Sequence, residues 1–480
     1  MHKNSLSTKN TAHPGFSLAG RPLIIGTLIL TATGLITRTI GFFYRIYLSR
    51  LFGEESMGVY QLISPVLALS YSLCAAAYQT AISKLVAEYT DACNNRRFRP
   101  LIAGLMITIP LSLLCCGIIH TQADFIGTQL LMEPRTVPML QILAFAIPFS
   151  SIHSCINGYF YGIKKTGPPA AAQFLEQLAR VSCVYLISSS VLAKGGSPSI
   201  TVAVLGLVTG ELVSMTVSLT AIFYTAATTQ KAQKTTGPDH CLSLPSSTQA
   251  RICSKATGPV SALHAGLFRS IFAMALPLTL NRIVLNFLQS IESVSIPTQL
   301  KLYGYDNTTA LSVYGVLTGM AMPLIFFPNA LTNSVSVLLL PLIAENYSRG
   351  DLIAVKAAIL RTLKFCTTLG LTCMSAFFLL GNFFGNTVFD SPLAGHFIQT
   401  LSFLCPFLYL DTTLSSILQG LGKAGTIFIM NMLALLLRLG FVFFAVPTFG
   451  ITGYLWGMLA GQIFLSVMYL GCLRKFLVKA

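Results

Sequence analysis

Apolar stretches long enough to cross a bilayer follow one another through the chain, separated by short polar connectors. A helix rises ~1.5 Å per residue, so about 20 apolar residues cross the hydrocarbon core. Twelve such stretches can be marked, at 22–49, 58–84, 99–120, 136–159, 169–191, 199–225, 268–297, 312–340, 356–381, 396–419, 424–446 and 451–473. Only 10% of residues are charged, against about 25% in soluble domains. The pattern predicts an all-α integral membrane protein.

Charge in the connectors sets an expected orientation. The net charge of +16 comes mostly from Lys and Arg in the even-numbered connectors and the C-terminal tail, such as Arg96, Arg97, Arg99, Lys164, Lys165, Lys231, Lys234, Arg251, Lys423 and Arg474. The odd-numbered ones hold little beyond Arg50, Arg135, Lys194 and Lys301, with acids beside them. By the positive-inside rule, both termini are expected in the cytoplasm of a multi-pass membrane protein. No basic stripe interleaved with exposed aromatics is present, which argues against nucleic acid as a partner. The apolar run after the polar N-terminus is too long for a signal-peptide core, so it is expected to remain as helix one.

The expected divisions are an N-terminal tail (1–21), a six-helix bundle (22–225), a Ser/Thr/Gly/Pro-rich flexible cytoplasmic linker (226–267), a second six-helix bundle (268–473) and a tail (474–480). Shifting the chain by 258 residues sets Pro65 on Pro323, Pro148 on Pro406, Gly162 on Gly420, Lys165 on Lys423, Gly167 on Gly425, Gln173 on Asn431 and Arg180 on Arg438. Six spans per repeat is an even number, so both halves enter the membrane from one side. Such parallel repeats, related by an axis along the membrane normal, are expected to enclose a central cavity.

Polar residues inside the apolar runs mark candidate sites, because each is expensive there. In helix one, Arg38 lies near the middle and Arg45 two turns further on the same face, with Gly34 and Gly41 sharing that face. Snorkelling or an interhelical salt bridge would explain them; so would a cationic site for an anionic group. Helix seven carries Arg282, Asn286, Gln289 and Ser293 at i, i+4, i+7 and i+11, with Glu292 at the edge. That stripe either holds helices together or faces a cavity. In helix five, Glu176 and Arg180 stand i, i+4 and are expected to pair. Arg438 has Ala434 at the matching position, so its partner must come from another helix or from substrate. Glu211 and Asp411 are candidates for holding a proton or sodium ion, or for buried hydrogen-bonded carboxyls. His153 and His120 are isolated in sequence and read as structural.

The 12 cysteines are scattered, with no CxxC pair or zinc spacing. There is no Walker A loop, HExxH motif or GxSxG elbow. The chain is therefore read as a transporter with no enzymatic chemistry and no cofactor.

The stretches Thr37-Arg-Thr-Ile-Gly-Phe-Phe-Tyr-Arg45, Leu51-Phe-Gly-Glu-Glu55, Ala81-Ile-Ser-Lys-Leu-Val-Ala-Glu88, Gly319-Met-Ala-Met-Pro-Leu-Ile-Phe-Phe-Pro328 and Leu340-Pro-Leu-Ile-Ala-Glu345 carry a family resemblance. The chain resembles the stage V sporulation protein B group of polysaccharide exporters, within the multidrug/oligosaccharidyl-lipid/polysaccharide exporter superfamily. The resemblance implies a flippase for a lipid-linked oligosaccharide or cell-wall precursor of undecaprenyl-pyrophosphate type, with cell-wall synthesis enzymes as candidate partners. It also implies that helix-one arginines bind the pyrophosphate. Arg38 matches by its hydroxyl-Arg-x-x-Gly context, and Arg45 stands one residue beyond the second position. Relatives often have 14 helices, whereas 12 are found here; Glu292 stands where the family has an aspartate. A cation-coupled multidrug exporter and a non-transporting scaffold for cell-wall or spore assembly are the alternative readings.

Overall fold

The computed structural model describes residues 21–90, 98–235 and 260–479. It is helical throughout, and twelve rods traverse it among the described residues. They are α1 (21–52), α2 (54–90), α3 (Arg99–Thr121), α4 (137–162), α5 (Gly167–Ala193), α6 (Thr201–Thr235), α7 (Val260–Tyr303), α8 (307–348), α9 (Leu352–Phe383), α10 (392–420), α11 (Ala424–Phe444) and α12 (Ile451–Lys479). The first two form one run, Arg21–Leu62, that turns at Gly53 with φ 77° and ψ 176°. Only glycine adopts that backbone without strain. Most of the rods are long and apolar enough to cross a membrane alone. α4 passes only when its two bent pieces are taken together, and α5 does not pass, because its face of Gln173, Glu176, Gln177 and Arg180 lowers its hydropathy.

Several rods outrun their expected bounds. The linker predicted at 226–267 is helical at both margins, because α6 continues to Thr235 and α7 begins at Val260. Residues 226–235 are rich in Ala, Gln and Lys and hold no Gly or Pro. Gly237-Pro238 and Gly258-Pro259 flank the remainder, and 236–259, like 1–20, lie outside the described residues. The expected tail from 474 continues α12 to Lys479.

The two-fold repeat is visible at single residues. In the first half Thr108 Oγ1 meets Cys155 Sγ at 3.3 Å, joining α3 to α4. In the second, Cys366 Sγ meets Thr413 Oγ1 at 3.0 Å, joining α9 to α10 with the two residue types exchanged. Both pairs obey the 258-residue shift. Beyond α3 and α9 the chain runs through a π-helical turn, Ile126–Leu130 and Phe384–Phe389, then reverses at Met132 and Asp390, each with φ 54°. α4 and α10 each break four residues before a proline, Pro148 or Pro406. A proline ring displaces the carbonyl at i−4 and removes one hydrogen bond; the α4 bend is 41°.

Packing differs between the two ends of the bundle. At the end carrying the odd-numbered connectors one apolar core joins both halves, with Met57, Leu62, Leu140 and Ile147 beside Leu311, Leu317, Phe397 and Leu401. At the other end the core divides: Ile82, Val86 and Phe160 share one part with Ile271 and Ala275 of α7, and Ile343, Ile359 and Leu418 belong to another. One apolar core thus joins the halves at one end, whereas at the other α7 packs with the first half and α8, α9 and α10 form a core of their own.

Glycine makes the seal possible. A Cβ at Gly58 of α2 would lie 2.1 Å from the Leu311 carbonyl oxygen, and one at Gly315 of α8 would lie 2.2 Å from that of Glu54. These contacts are mirror images across the repeat. Polar bonds at the chain reversals reinforce them. Arg50 donates to the carbonyls of Val388 (2.8 Å) and Thr387. Arg135 binds Glu55 (2.7 Å) and Glu133 (2.6 Å), and Asn307 donates to Glu133 at 3.0 Å.

A methyl group at either glycine cannot fit this seal. Gly58→Ala and Gly315→Ala are expected to shift the protein toward a form opened at the sealed end. Spin labels at the repeat-related positions Thr128 and Asn386 would show a new, longer distance in either variant; an unchanged distance distribution would refute the prediction.

Candidate functional site

Helix one turns its charged face inward. Arg38, Gly41 and Arg45 of α1 line a cavity of about 680 Å3 between the two halves. α2 adds Tyr60, Gln61 and Ser64 at helical spacing, and α5 adds Gln177 and Arg180. From the second half come Ser293 of α7 and, on α8, Tyr314, Thr318, Phe326, Phe327, Asn329 and Asn333. Phe42 and Phe327 meet across the halves with ring centroids 5.1 Å apart. Among the described residues, three guanidiniums line this space and no carboxylate does.

Arg38 and Arg45 are both exposed. Arg45 sits deep among protein atoms, beside Tyr60, Tyr44 and Arg180, and its exposure is to the cavity. Among the described residues neither Arg38 nor Arg45 has a carboxylate within ion-pair distance. An arginine at mid-membrane costs about 2.5–3.5 kcal/mol on insertion scales, and like charges in one low-dielectric cavity repel. An anion bound between them relieves both.

Arg180 is shared. Its NH2 donates to Glu176 Oε1 at 2.7 Å, while its Nε is buried without a partner. α6 comes close enough to hold this pair because Gly206 and Gly210 face the α5 backbone; a Cβ at either would lie 3.0 Å from the carbonyl oxygen of Arg180 or Glu176. Glu211, one turn along, reaches His153 of α4, whose Nε2 lies 2.9 Å from Glu211 Oε2. His153, isolated in sequence, is thus paired in space. The ligand atoms of His153, Glu176 and Glu211 lie within 4.8 Å of one another. Both carboxylates are already engaged, by Arg180 and by the imidazole, which disfavours a divalent metal there.

The stripe on α7 is divided among other duties. Asn286 donates to Ser72 Oγ at 2.5 Å and fastens α7 to α2. Arg282 and Gln289 are exposed and do not line the cavity; Ser293 does. Glu292 is buried and accepts from Arg438 of α11 at 2.5–2.9 Å in a forked contact, and from the Tyr454 hydroxyl of α12 at 3.0 Å. Arg438 therefore finds its partner on another helix. Asp411 accepts from Gln462 (2.5 Å) and Ser466 (2.6 Å), so both of its oxygens have neutral donors.

The polar lining from α2 and α8 was not singled out in the sequence. Asn329 and Asn333 stand i, i+4 just after Pro328 in an apolar run, the same kind of signal that marks the stripe on α7. The pairing of His153 with Glu211 has no such signal, because the two lie 58 residues apart on different helices.

Breaking the buried Glu292–Arg438 pair from one side leaves a bare charge. Glu292→Ala or Arg438→Ala is expected to destabilise the second half by about 3–5 kcal/mol. Replacing both with apolar residues of similar volume should recover most of that loss in thermal unfolding in detergent. Equal losses for single and double variants would contradict this account.

Comparison with known proteins agrees with this architecture. Residues 23–347 match the family described as polysaccharide biosynthesis protein. Stage V sporulation protein B of Bacillus subtilis (strain 168) is 28% identical over 463 residues, which cover 96% of this chain and 85% of that protein. The lipid II flippase MurJ of the same organism is 20% identical over 417 residues, covering 84% and 73%. Among solved structures, an inward-facing multidrug resistance MATE family transporter of the MOP superfamily matches with a TM-score of 0.64 at 15% identity, over 94% of this chain and 98% of that one. A MOP superfamily transporter from Pyrococcus furiosus Vc1 (DSM3638) matches with a TM-score of 0.62 at 14% identity, over 95% and 96%. The structural likeness shows the fold, and the sequence match over 23–347 shows the lineage: this chain belongs to the polysaccharide biosynthesis protein family.

Proposed function

We propose that this protein moves an anionic lipid-linked oligosaccharide, of the undecaprenyl-pyrophosphate type, from the cytoplasmic to the outer leaflet by alternating access. The observation that carries this reading is a cavity between the halves lined by Arg38, Arg45 and Arg180 and, among the described residues, by no carboxylate. A planar guanidinium fork matches phosphate oxygens and stays charged at any physiological pH. The amides and hydroxyls of Gln61, Gln177, Thr318, Asn329 and Asn333 supply the hydrogen bonds that sugar hydroxyls need. With the basic connectors in the cytoplasm, the sealed end faces outward and the cavity opens inward, ready for a precursor made inside the cell. An inside-negative potential then favours outward movement of an anion by about 2.3 kcal/mol per charge per 100 mV.

The family relationship supports a multi-pass membrane transporter, and relatives named for sporulation and for lipid II flipping support a cell-envelope substrate. The multidrug-exporter reading calls for carboxylates in the cavity to hold cationic drugs, and among the described residues the lining has none.

Arg38→Ala and Arg45→Ala, tested in cells lacking their own flippase, are each expected to lower translocation of lipid-linked precursors on the order of ten- to a hundredfold. That range corresponds to losing one hydrogen bond to a charged group, about 1.5–3 kcal/mol. Arg45→Lys should recover part of the loss, since charge remains while the fork is gone. Normal transport by both alanine variants at normal expression would defeat the cationic-site reading. Extrusion of cationic dyes without precursor movement would favour the drug exporter.

A further inference from the structure

Behind Arg180 the first half holds ionisable side chains that the proposed transport does not use. Glu176 and Glu211 bring two negative charges, Arg180 brings one positive charge, and a neutral His153 ring leaves the group one charge short of balance. A single proton on the ring would close that gap, and unbalanced charge is expensive away from water.

The hydrogen bonds around the ring suit both protonation states. His153 Nε2 faces the Glu211 carboxylate and must carry a hydrogen. On the other side Asn157 Nδ2 lies 3.3 Å from His153 Nδ1, and with the amide in this orientation that nitrogen can only accept, the arrangement that suits a neutral ring. Asn157 Oδ1, meanwhile, is buried with no partner. Turning the Asn157 amide over would bring that oxygen to Nδ1, where it would accept from an imidazolium N–H. An amide is well suited to this place because it offers a donor at one end and an acceptor at the other.

The group also touches the cavity. Arg180 gives one nitrogen to Glu176, yet it lines the cavity beside Arg45 and keeps its Nε without a partner. Drawing Arg180 toward an anion weakens its hold on Glu176 and leaves the two carboxylates less compensated. The other charged or titratable neighbours are Tyr44 of α1 and Tyr60 of α2 beside Arg180, Tyr71 of α2, whose hydroxyl receives a 3.5 Å hydrogen bond from Ser154, and beyond it the exposed Arg282 of α7. None of them makes an ion pair with the two carboxylates.

We propose that His153, Glu211, Glu176 and Arg180 form a single-proton site linked to the cavity, so that an anion bound at Arg45 and Arg180 is accompanied by uptake of about one proton on His153. This rests on the anion-binding reading given above. It adds a protonation linked to anion binding and names His153, with Asn157 as its positioning residue.

UDP-N-acetylglucosamine serves as a soluble probe, because it is a pyrophosphate diester with no group titrating between pH 6 and 8. Its binding to the full-length protein in lipid nanodiscs would be measured by calorimetry in two buffers of different ionisation enthalpy. The wild type is expected to take up about one proton per ligand, with affinity falling by up to tenfold per unit rise in pH. Glu211→Gln and His153→Asn, neither of which lines the cavity, are expected still to bind the probe, without proton uptake and with affinity independent of pH. Binding without uptake in the wild type overturns the proposal. So does uptake unchanged in both variants, or tightening by sodium in place of a proton. If the wild type does not bind the probe, the anion-binding reading fails separately. The site is then judged from nitrogen-15 histidine spectra: a His153 ring, assigned with His153→Asn, that stays in one protonation state from pH 5 to 8 overturns it as well.

Discussion

Hydrocarbon offers a guanidinium no hydrogen bonds and no counter-charge, so every arginine placed at that depth must be answered by the protein or by a ligand. In this fold the answer differs from one arginine to the next. Arg438 is fully answered by Glu292 and Tyr454, and the pair ties α7 to α11 and α12. Arg180 is answered by half, through Glu176. Arg38 and Arg45 have no acid at all among the described residues. The remaining arrangement, a sealed end, a divided end and a cavity between, keeps those two arginines away from lipid and open to a visitor.

Much of this was legible in the sequence, and the reasons are physical. Hydrophobic length fixes where helices cross, so the twelve spans survive with bounds shifted by a few residues. The 258-residue shift was readable because proline and glycine constrain backbone, and backbone is what the repeats share: Pro148 and Pro406 break their helices alike, and Gly162 and Gly420 each meet a carbonyl of the neighbouring helix. Arg38 and Arg45 announced themselves by their cost. What the sequence could not supply was partnership across space. Glu292 stands at the edge of the stripe that holds Ser293, and a rotation of about 100° per residue sends one to Arg438 and the other to the cavity. Asn286 went to a helix contact for the same reason. The extent of α6 and α7 beyond the predicted linker margins was missed because length was judged by hydropathy, and a helix can continue past the apolar zone wherever its residues favour it.

The exchange of Thr108–Cys155 for Cys366–Thr413 shows what the repeat conserves. A hydroxyl and a thiol of similar size can trade places across the α3–α4 and α9–α10 contacts without altering the spacing. Backbone geometry and, at this contact, side-chain volume are held in common by the halves; the charge that faces the cavity is not.

That last difference gives the cavity a polarity. Among the described lining residues all three arginines stand on α1 and α5 of the first half, whereas the second half contributes uncharged groups such as Thr318, Asn329, Asn333, Met322 and Phe327. A ligand with one charged and one uncharged end can settle in a single orientation, its anionic end against the first half. The two halves are alike as levers and unlike as hands: when they move past one another, the charge travels with one of them, and the other slides over the neutral end.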